Sequence, residues 1–382
     1  MKVVGIICEY NPFHLGHEKQ IRQIHQEFGD DCGIVCLMSG NFVQRGAPAI
    51  FDKSLRAQAA LLSGADLVLE LPTTYALSSA EGFAGGGVKI LSPFCDYLCF
   101  GTETGEKESL LATAKALLSP EFSSTLRLEL DKGISFPAAR QAALERIGSD
   151  ASLLMKPNDI LAVEYCKAIL AQGSAMEPHP IYREGSYHDN MPDESNPSAT
   201  ALRNLAINDE DFLPFIPKAA QSAFENAPIH TVIAGERAIL AKLRTMTDAE
   251  FASLPYGSEG LWRKFMHACR SQATLEEIIT ATKSKRYTRT RIDRMILCAY
   301  LGISEQLMAQ DAPYVRVLGF RENGTRILKK ARQHGLFPHI GEKIDHPYFL
   351  LEQLWDDLYG LFREDTPSPA GTNEKRRVFI TK

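Results

Sequence analysis

At 382 residues, with 45% hydrophobic and 23% charged side chains, the sequence is that of a globular protein long enough for two domains. A formal net charge of −5 excludes a protein that holds nucleic acid, DNA included, through overall positive charge, so such a partner needs a local basic patch. No apolar run reaches membrane-spanning length and strand residues begin almost at once, which speaks against a membrane partner, leaves no room for a signal peptide and points to the cytoplasm.

Val3 to Cys8 is a short apolar run rich in β-branched residues and closed by the turn-formers Asn11 and Pro12, so it reads as a buried first strand. His14, Gly16 and His17 then open a helix whose apolar positions Ile21, Ile24 and Phe28 recur at helical spacing. A helix that starts at a strand's carboxyl edge collects unpaired N–H groups and the positive end of its dipole, which suits a phosphate. Protonated histidine can donate from both ring nitrogens to such an anion, and Gly16 lets a bulky ligand approach the backbone. Two histidines three apart also suit a plain helix cap, and that is the competing reading.

Gly33 to Met38 is a second strand. The following FVQRGAPAIFDKSLR carries Gln44, Arg45, Asp52, Lys53 and Arg56, and its place at a strand's carboxyl end suggests a ligand-facing loop. Ala65 to Leu71 and Tyr97 to Phe100 read as the third and fourth strands, with helices near Lys53 to Leu62 and Ser78 to Leu91. This alternation predicts an α/β fold with a parallel, doubly wound sheet. Gly101 to Gly105 follows directly, and a glycine there can admit an adenine or ribose, although a simple turn fits as well. Helical patterns run from Lys107 to Gly173, with Asn158 expected as an N-cap and Ile160, Leu161, Val163 and Tyr165 as an apolar face. Pro180 to Arg183 suggests a strand leading into a polar loop with Tyr187, His188 and Asp189. Ser198 then caps a helix, and Arg203 one turn later completes a second phosphate cradle.

Past residue 220 the character changes. Pro214, Pro217 and Pro228 interrupt the chain, and amphipathic helices follow, including Ser258 to Cys269 and Leu275 to Lys283. We expect one domain over residues 1–220 and a mainly helical one over 221–382. Between Lys283 and Arg294 six basic side chains face one Asp, which suggests a polyanion contact through Lys285, Arg286, Arg289 and Arg291, with Tyr287 available for stacking on a base. Tyr314 to Phe320 suggests a strand, Asn323-Gly324 a turn, and the tail after Arg363, with Pro367, Pro369 and Gly371, a loosely ordered end. The eight cysteines show no CxxC and read as reduced packing residues, so no metal site is assigned.

The order strand, Asn-Pro-Phe, His14-x-Gly16-His17, helix resembles the HxGH signature of the nucleotidyltransferase superfamily, whose late Ser/Thr-to-Arg element matches Ser198 to Arg203. Together GIICEYNPFHLGH, MSGNFVQRG with FDK, FGTE, KPNDILAVEY, the REGSYHD to SATALR run, and SKRYTRTRI with YVRVLGF resemble the bacterial tRNA(Met) cytidine acetate ligase family over nearly the whole chain. The resemblance implies a nucleotidyltransferase-like (HUP, Rossmann-like) sheet with helices on both faces, followed by the helical domain. It implies an enzyme that forms acetyl-adenylate from acetate and ATP, then acetylates N4 of the wobble cytidine of elongator tRNA(Met). Carried over by position, the ATP segment matches Ile7, Cys8, Glu9, Tyr10, Asn11, Pro12, Phe13, His14, Leu15, Gly16, His17, Glu18, Lys19 and Gln20. Further ATP contacts match Gly101, Asn158 and Arg183, with Ser198 beside them. His14, His17 and Arg203 are the expected catalytic donors, and Mg²⁺ is expected to arrive on the nucleotide's phosphates. No residue is implied for deprotonating the cytidine amine. Two rivals are a nucleotidyltransferase acting on a small phosphorylated metabolite in coenzyme synthesis, and a non-catalytic RNA-binding protein on a degenerate nucleotide fold.

Overall fold

Alternate residues of the first two strands are apolar on both sides, and each side builds its own core. In the computed structural model, which describes residues 1–182, 197–335, 338–341, 344–372 and 377–381, Val3, Ile7, Val35 and Leu37 pack into one core. Val4, Ile6, Ile34, Cys36 and Met38 pack into a second on the opposite face. Strands buried on both faces need helices on both faces, and this is the arrangement found.

The strands are β1 (Val3–Cys8), β2 (Gly33–Ser39), the short pair β3 (Phe42–Val43) and β4 (Ala47–Pro48), β5 (Leu67–Leu71), β6 (Tyr97–Thr102), β7 (Glu177–Tyr182), β8 (Val315–Phe320), β9 (Pro338–His339) and β10 (Phe379–Ile380). The main sheet has the order β10-β8-β5-β2-β1-β6-β7, with β9 on β8. β1, β2, β5, β6 and β7 run parallel, as expected, but β8 joins β5 antiparallel, so the sheet is mixed at that edge. The chain winds from β1 out through β2 to β5, then returns to the other side of β1 with β6 and β7. The strand order reverses between β1 and β6, and ligands of open α/β sheets bind at such a point, beyond the carboxyl ends of the strands.

The sheet takes strands from both sides of residue 220. β8 and β10 come from the far end of the chain, while the helices of residues 232–301 and 347–359 bury a third core that includes Phe251, Phe265, Met295, Trp355 and Phe362. Several local expectations change. The tail after Arg363 ends in β10, paired with Gly319 and Phe320 of β8. Asn323-Gly324 is the first turn of the helix Glu322–Gln333, and Gly324 is needed because a Cβ there would collide with the Asp66 carbonyl. The helix expected from Ser258 starts at Leu261, after Gly260 in the left-handed conformation (φ 81°). Asn158 is not the cap of its helix. Pro157 takes the first helical position, where its missing N–H costs nothing, so Lys156 is the cap residue.

Candidate active site

The turn from β1 into helix α1 (Leu15–Phe28) is built by residues that answer each other's backbone groups. His14 is the N-cap, 1% exposed, and its Nδ1 accepts from the Gly16 N–H at 3.1 Å. One turn on, His17 Nδ1 accepts from the His14 N–H at 3.2 Å, and the two rings stack with centroids 3.7 Å apart. The capping and the phosphate-facing readings are therefore both part of one arrangement. A ring nitrogen that accepts an N–H is unprotonated, so Nε2 is the donor that each imidazole can turn to a ligand. The structure thus revises the expectation that both nitrogens of each ring serve the anion. Tyr10, with φ 46°, and Phe13 wedge the turn, their rings 4.8 Å apart.

Arg203 reaches this turn from the helix Ala199–Ile207, its guanidinium donating to the Asn11 carbonyl at 2.7 Å and to Thr200 Oγ1 at 3.0 Å. Ser198 caps that helix as expected, its Oγ accepting from the Ala201 N–H at 3.1 Å. The early histidine pair and the late Ser-to-Arg element, almost two hundred residues apart, therefore meet at β1's carboxyl end. Asn11 is buried and also accepts from the Ile50 N–H at 2.8 Å, so the turn is held from two directions.

On the other side of the switch point, Gly101 lies in β6 and the loop after it is tied to the helix Pro157–Ala171. Asp159, fully buried, accepts from Thr102 Oγ1 at 2.9 Å, the Glu103 N–H at 2.7 Å and the Thr104 hydroxyl. Asn158 donates from its main chain and its amide to Glu103 Oε1, at 3.2 and 2.8 Å. Gly101 and Asn158 thus belong to one braced loop. Arg183 lies outside the described residues, as do Tyr187, His188 and Asp189.

The loop after β2 differs from the expectation of ligand-facing charges. Arg56 is fully buried in α2 (Lys53–Leu62), and its guanidinium donates to the carbonyls of Phe51 at 2.9 Å, Glu9 at 2.6 Å, Ser39 at 3.1 Å and Gly40. It ties together the chain that leaves β1 and β2. Asp52 caps α2, and Lys53 is buried between Glu70 at 2.8 Å and Asp356 at 2.7 Å. Gln44 points the other way: its N–H donates to Glu9 Oε1 at 2.7 Å, and its carbonyl accepts from Arg294 of the helix Arg289–Leu301 at 3.3 Å. No recognisable spacing links Glu9, Arg56 or Asp159 to its partners, so the sequence alone does not mark them as organisers.

Of the basic stretch, Lys285 is exposed, Arg286 pairs with Glu259 just before the helix Leu261–Ser271 at 2.8 Å, and Arg289 pairs with Glu276 of the helix Leu275–Thr282 at 2.6 Å. Arg291 folds inward, donating to the Tyr256 carbonyl at 3.0 and 2.7 Å and to Ser258 Oγ at 2.9 Å, with its guanidinium over the Tyr287 ring. Tyr287 also donates to Glu259 at 3.1 Å. The stretch is a loop followed by the start of the helix Arg289–Leu301. A separate cavity of about 440 Å³ opens between α2 and the C-terminal tail, lined by His230, Tyr359 and Arg363 among others, and none of the HxGH turn reaches it.

The family model described as HIGH Nucleotidyl Transferase matches residues 1–373. The tRNA(Met) cytidine acetate ligase of Clostridium novyi is 37% identical over 88% of this chain and 89% of its own length. The enzyme of that name from Halothermothrix orenii is 34% identical over 98% of both. Among solved structures, Thermotoga maritima TmcAL without ligand superposes with a TM-score of 0.90 at 30% identity, covering 100% of this chain and 99% of that one. The same enzyme bound with alpha-thio ATP gives 0.88 at the same identity and coverage. The mixed sheet, the HxGH turn at its switch point and these relatives place the chain in the tRNA(Met) cytidine acetate ligase family of HIGH nucleotidyl transferases.

Proposed function

We propose that the chain is an ATP-dependent acetate ligase that acts on elongator tRNA(Met) in the cytoplasm. Acetate attacks the α-phosphorus of ATP to give acetyl-adenylate and pyrophosphate, and the acetyl group then passes to N4 of the wobble cytidine, giving N4-acetylcytidine and AMP. The observation that carries this reading is the meeting of His14, His17 and Arg203 at β1's carboxyl end. Charge that builds on the phosphates during the first step calls for fixed donors more than for a nucleophile. The Nε2 groups of the histidines, the start of α1 and the Ser198 to Arg203 cradle supply them, while the braced loop of Gly101, Glu103 and Asn158 faces the adenosine across the switch point. Arg183 belongs to the same ATP site by its family position.

Mg²⁺ enters with ATP and would neutralise the same phosphates. Such an ion is expected to be held mainly through the nucleotide's own oxygens. Lys285, Arg286 and Arg289 form the tRNA side, on a helical unit that we place after residue 220, while Arg291 braces that unit from within. Among the described residues no helix is long and apolar enough to cross a membrane.

A nucleotidyltransferase for a small phosphorylated metabolite would leave the helical unit and its cations without a task, and is not favoured. ATP–pyrophosphate exchange separates the readings. The ligase exchanges when acetate is added, with no phosphorylated acceptor and no coenzyme A. Exchange that needs a small phosphorylated acceptor, or none with any addition, would overturn it.

A further inference from the structure

Transfer to a cytidine amine needs a base, because the exocyclic nitrogen must lose a proton as it acylates. We propose that Glu9 is that general base, an inference that rests on the ligase reading above. Glu9 follows the last residue of β1 and is half-buried at the sheet's switch point. One carboxylate oxygen, Oε1, accepts from the Gln44 N–H at 2.7 Å, which fixes the group, and Oε2 makes no hydrogen bond among the described residues.

Other carboxylates at this edge are engaged elsewhere. Asp52 binds Ser54 through its N–H and Oγ at 2.8 and 2.7 Å. Glu70 and Asp356 bind Lys53, Asp159 organises the loop after β6, and Glu103 holds Asn158. Glu9 forms no ion pair among the described residues.

Its position joins the two substrates. Two residues on, Asn11 carries Arg203 of the phosphate cradle. In the other direction, the same Gln44 that holds Glu9 accepts from Arg294, on the helix whose first turn carries Arg289 and Arg291. Gly46, at φ 80°, packs so closely on that helix that a Cβ would collide with the Arg294 backbone nitrogen. The hairpin of β3 and β4 is therefore a fixed strut from the RNA-facing helix to Glu9.

The electrostatics suit a base. Burial raises the Glu9 pKa, and the Gln44 N–H, Arg203 from the helix Ala199–Ile207, Arg45 from the hairpin and Arg56 from α2 draw it partly back. The phenol of Tyr165, from the helix Pro157–Ala171, faces it as well. A carboxylate raised in this way takes a proton more readily than an exposed one. In the step itself, N4 attacks the acetyl carbonyl carbon and the N–C bond forms as the N4 proton moves to Glu9 Oε2. The C–O bond to AMP breaks, AMP leaves with the electron pair, and Glu9 returns its proton to water.

The test uses the full chain charged with ATP and labelled acetate, then mixed with tRNA(Met) in a single turnover across pH. Glu9→Gln keeps an acceptor for the Gln44 N–H and removes the base. We expect its transfer rate to fall by about a hundredfold or more, at least about tenfold further than its pyrophosphate exchange, with loss of the rise in rate as pH climbs through the carboxylate's titration. Glu9→Asp, which retains a carboxylate, keeps that rise at a reduced rate. Transfer by Glu9→Gln within about threefold of wild type, an intact pH limb, or equal losses in exchange and transfer would each overturn the role. If the unmutated chain itself forms no N4-acetylcytidine, the ligase reading has failed, a result visible without any variant.

Discussion

His14 has two tasks that substitution can separate. Its Nδ1 caps α1 and its ring lies at the proposed phosphate site. Alanine removes both functions, whereas asparagine is a good N-cap that lacks the reach of Nε2. His14→Ala should lose about 1 kcal/mol of stability in urea melts and His14→Asn much less. Both should lose about a hundred- to thousandfold in ATP–pyrophosphate exchange, the cost of one preorganised donor. Near-wild-type exchange in both would contradict the role. His14, His17 and Ser198 were legible in the sequence because each works on backbone within one turn of itself, and Arg203 was legible only through the spacing to that cap. Asp159 and Arg56 were not, because their partners stand 57 and 47 residues away, at Thr102 and Glu9, and only the fold brings them together.

At the scale of elements, the first strand was legible to the residue and α1 and α2 in kind and place, because their apolar spacing and caps are local. Tyr314 to Phe320 was legible as a strand but not its antiparallel place beside β5, and the tail read as loosely ordered where β10 forms, since which sheet edge a strand joins is decided by long-range packing. The basic stretch illustrates the same limit. Charge count identified it, but pairing divides it. Arg291 is turned inward against Tyr256 and Ser258, and burial lowers its pKa from the usual guanidinium range. We expect Arg291→Ala to destabilise the helical unit more than it weakens RNA binding. Lys285, Arg286 and Arg289 replaced together should weaken tRNA binding and reduce the log–log salt slope by roughly 0.7 to 0.9 for each lost phosphate contact. Binding measured from low to high salt, beside melts of the same variants, separates the two. An unchanged slope in the triple variant would make that face merely solvated.

Across the whole molecule, the sheet and the helical unit are joined by a buried set of charges: Lys53 with Glu70 and Asp356, and Arg316 with Glu352 at 3.2 Å and Asp356 at 3.0 Å. Beside this seam His230, 6% exposed, stacks on Tyr359 at 4.1 Å, and its Nδ1 has no hydrogen-bond partner among the described residues. Burial pushes its pKa down to about 4, while the unfolded imidazole titrates near 6.5. The unfolded chain therefore binds a proton that the fold refuses, and stability falls as pH drops from about 6.5 through about 4, by about 3 kcal/mol in full. His230→Phe keeps the stack and removes the titration, so denaturant melts should show that part of the acid limb gone; an unaltered limb would place the proton uptake elsewhere. The central claim, that this chain splits ATP to acetylate a tRNA cytidine from free acetate, has a direct measurement. The protein is incubated with tRNA(Met) and either ATP with labelled acetate or labelled acetyl-coenzyme A, and the tRNA is digested to nucleosides. Label in N4-acetylcytidine from acetate, with AMP and pyrophosphate formed in step, is the predicted result; label from acetyl-coenzyme A without ATP, or from neither donor, would contradict it.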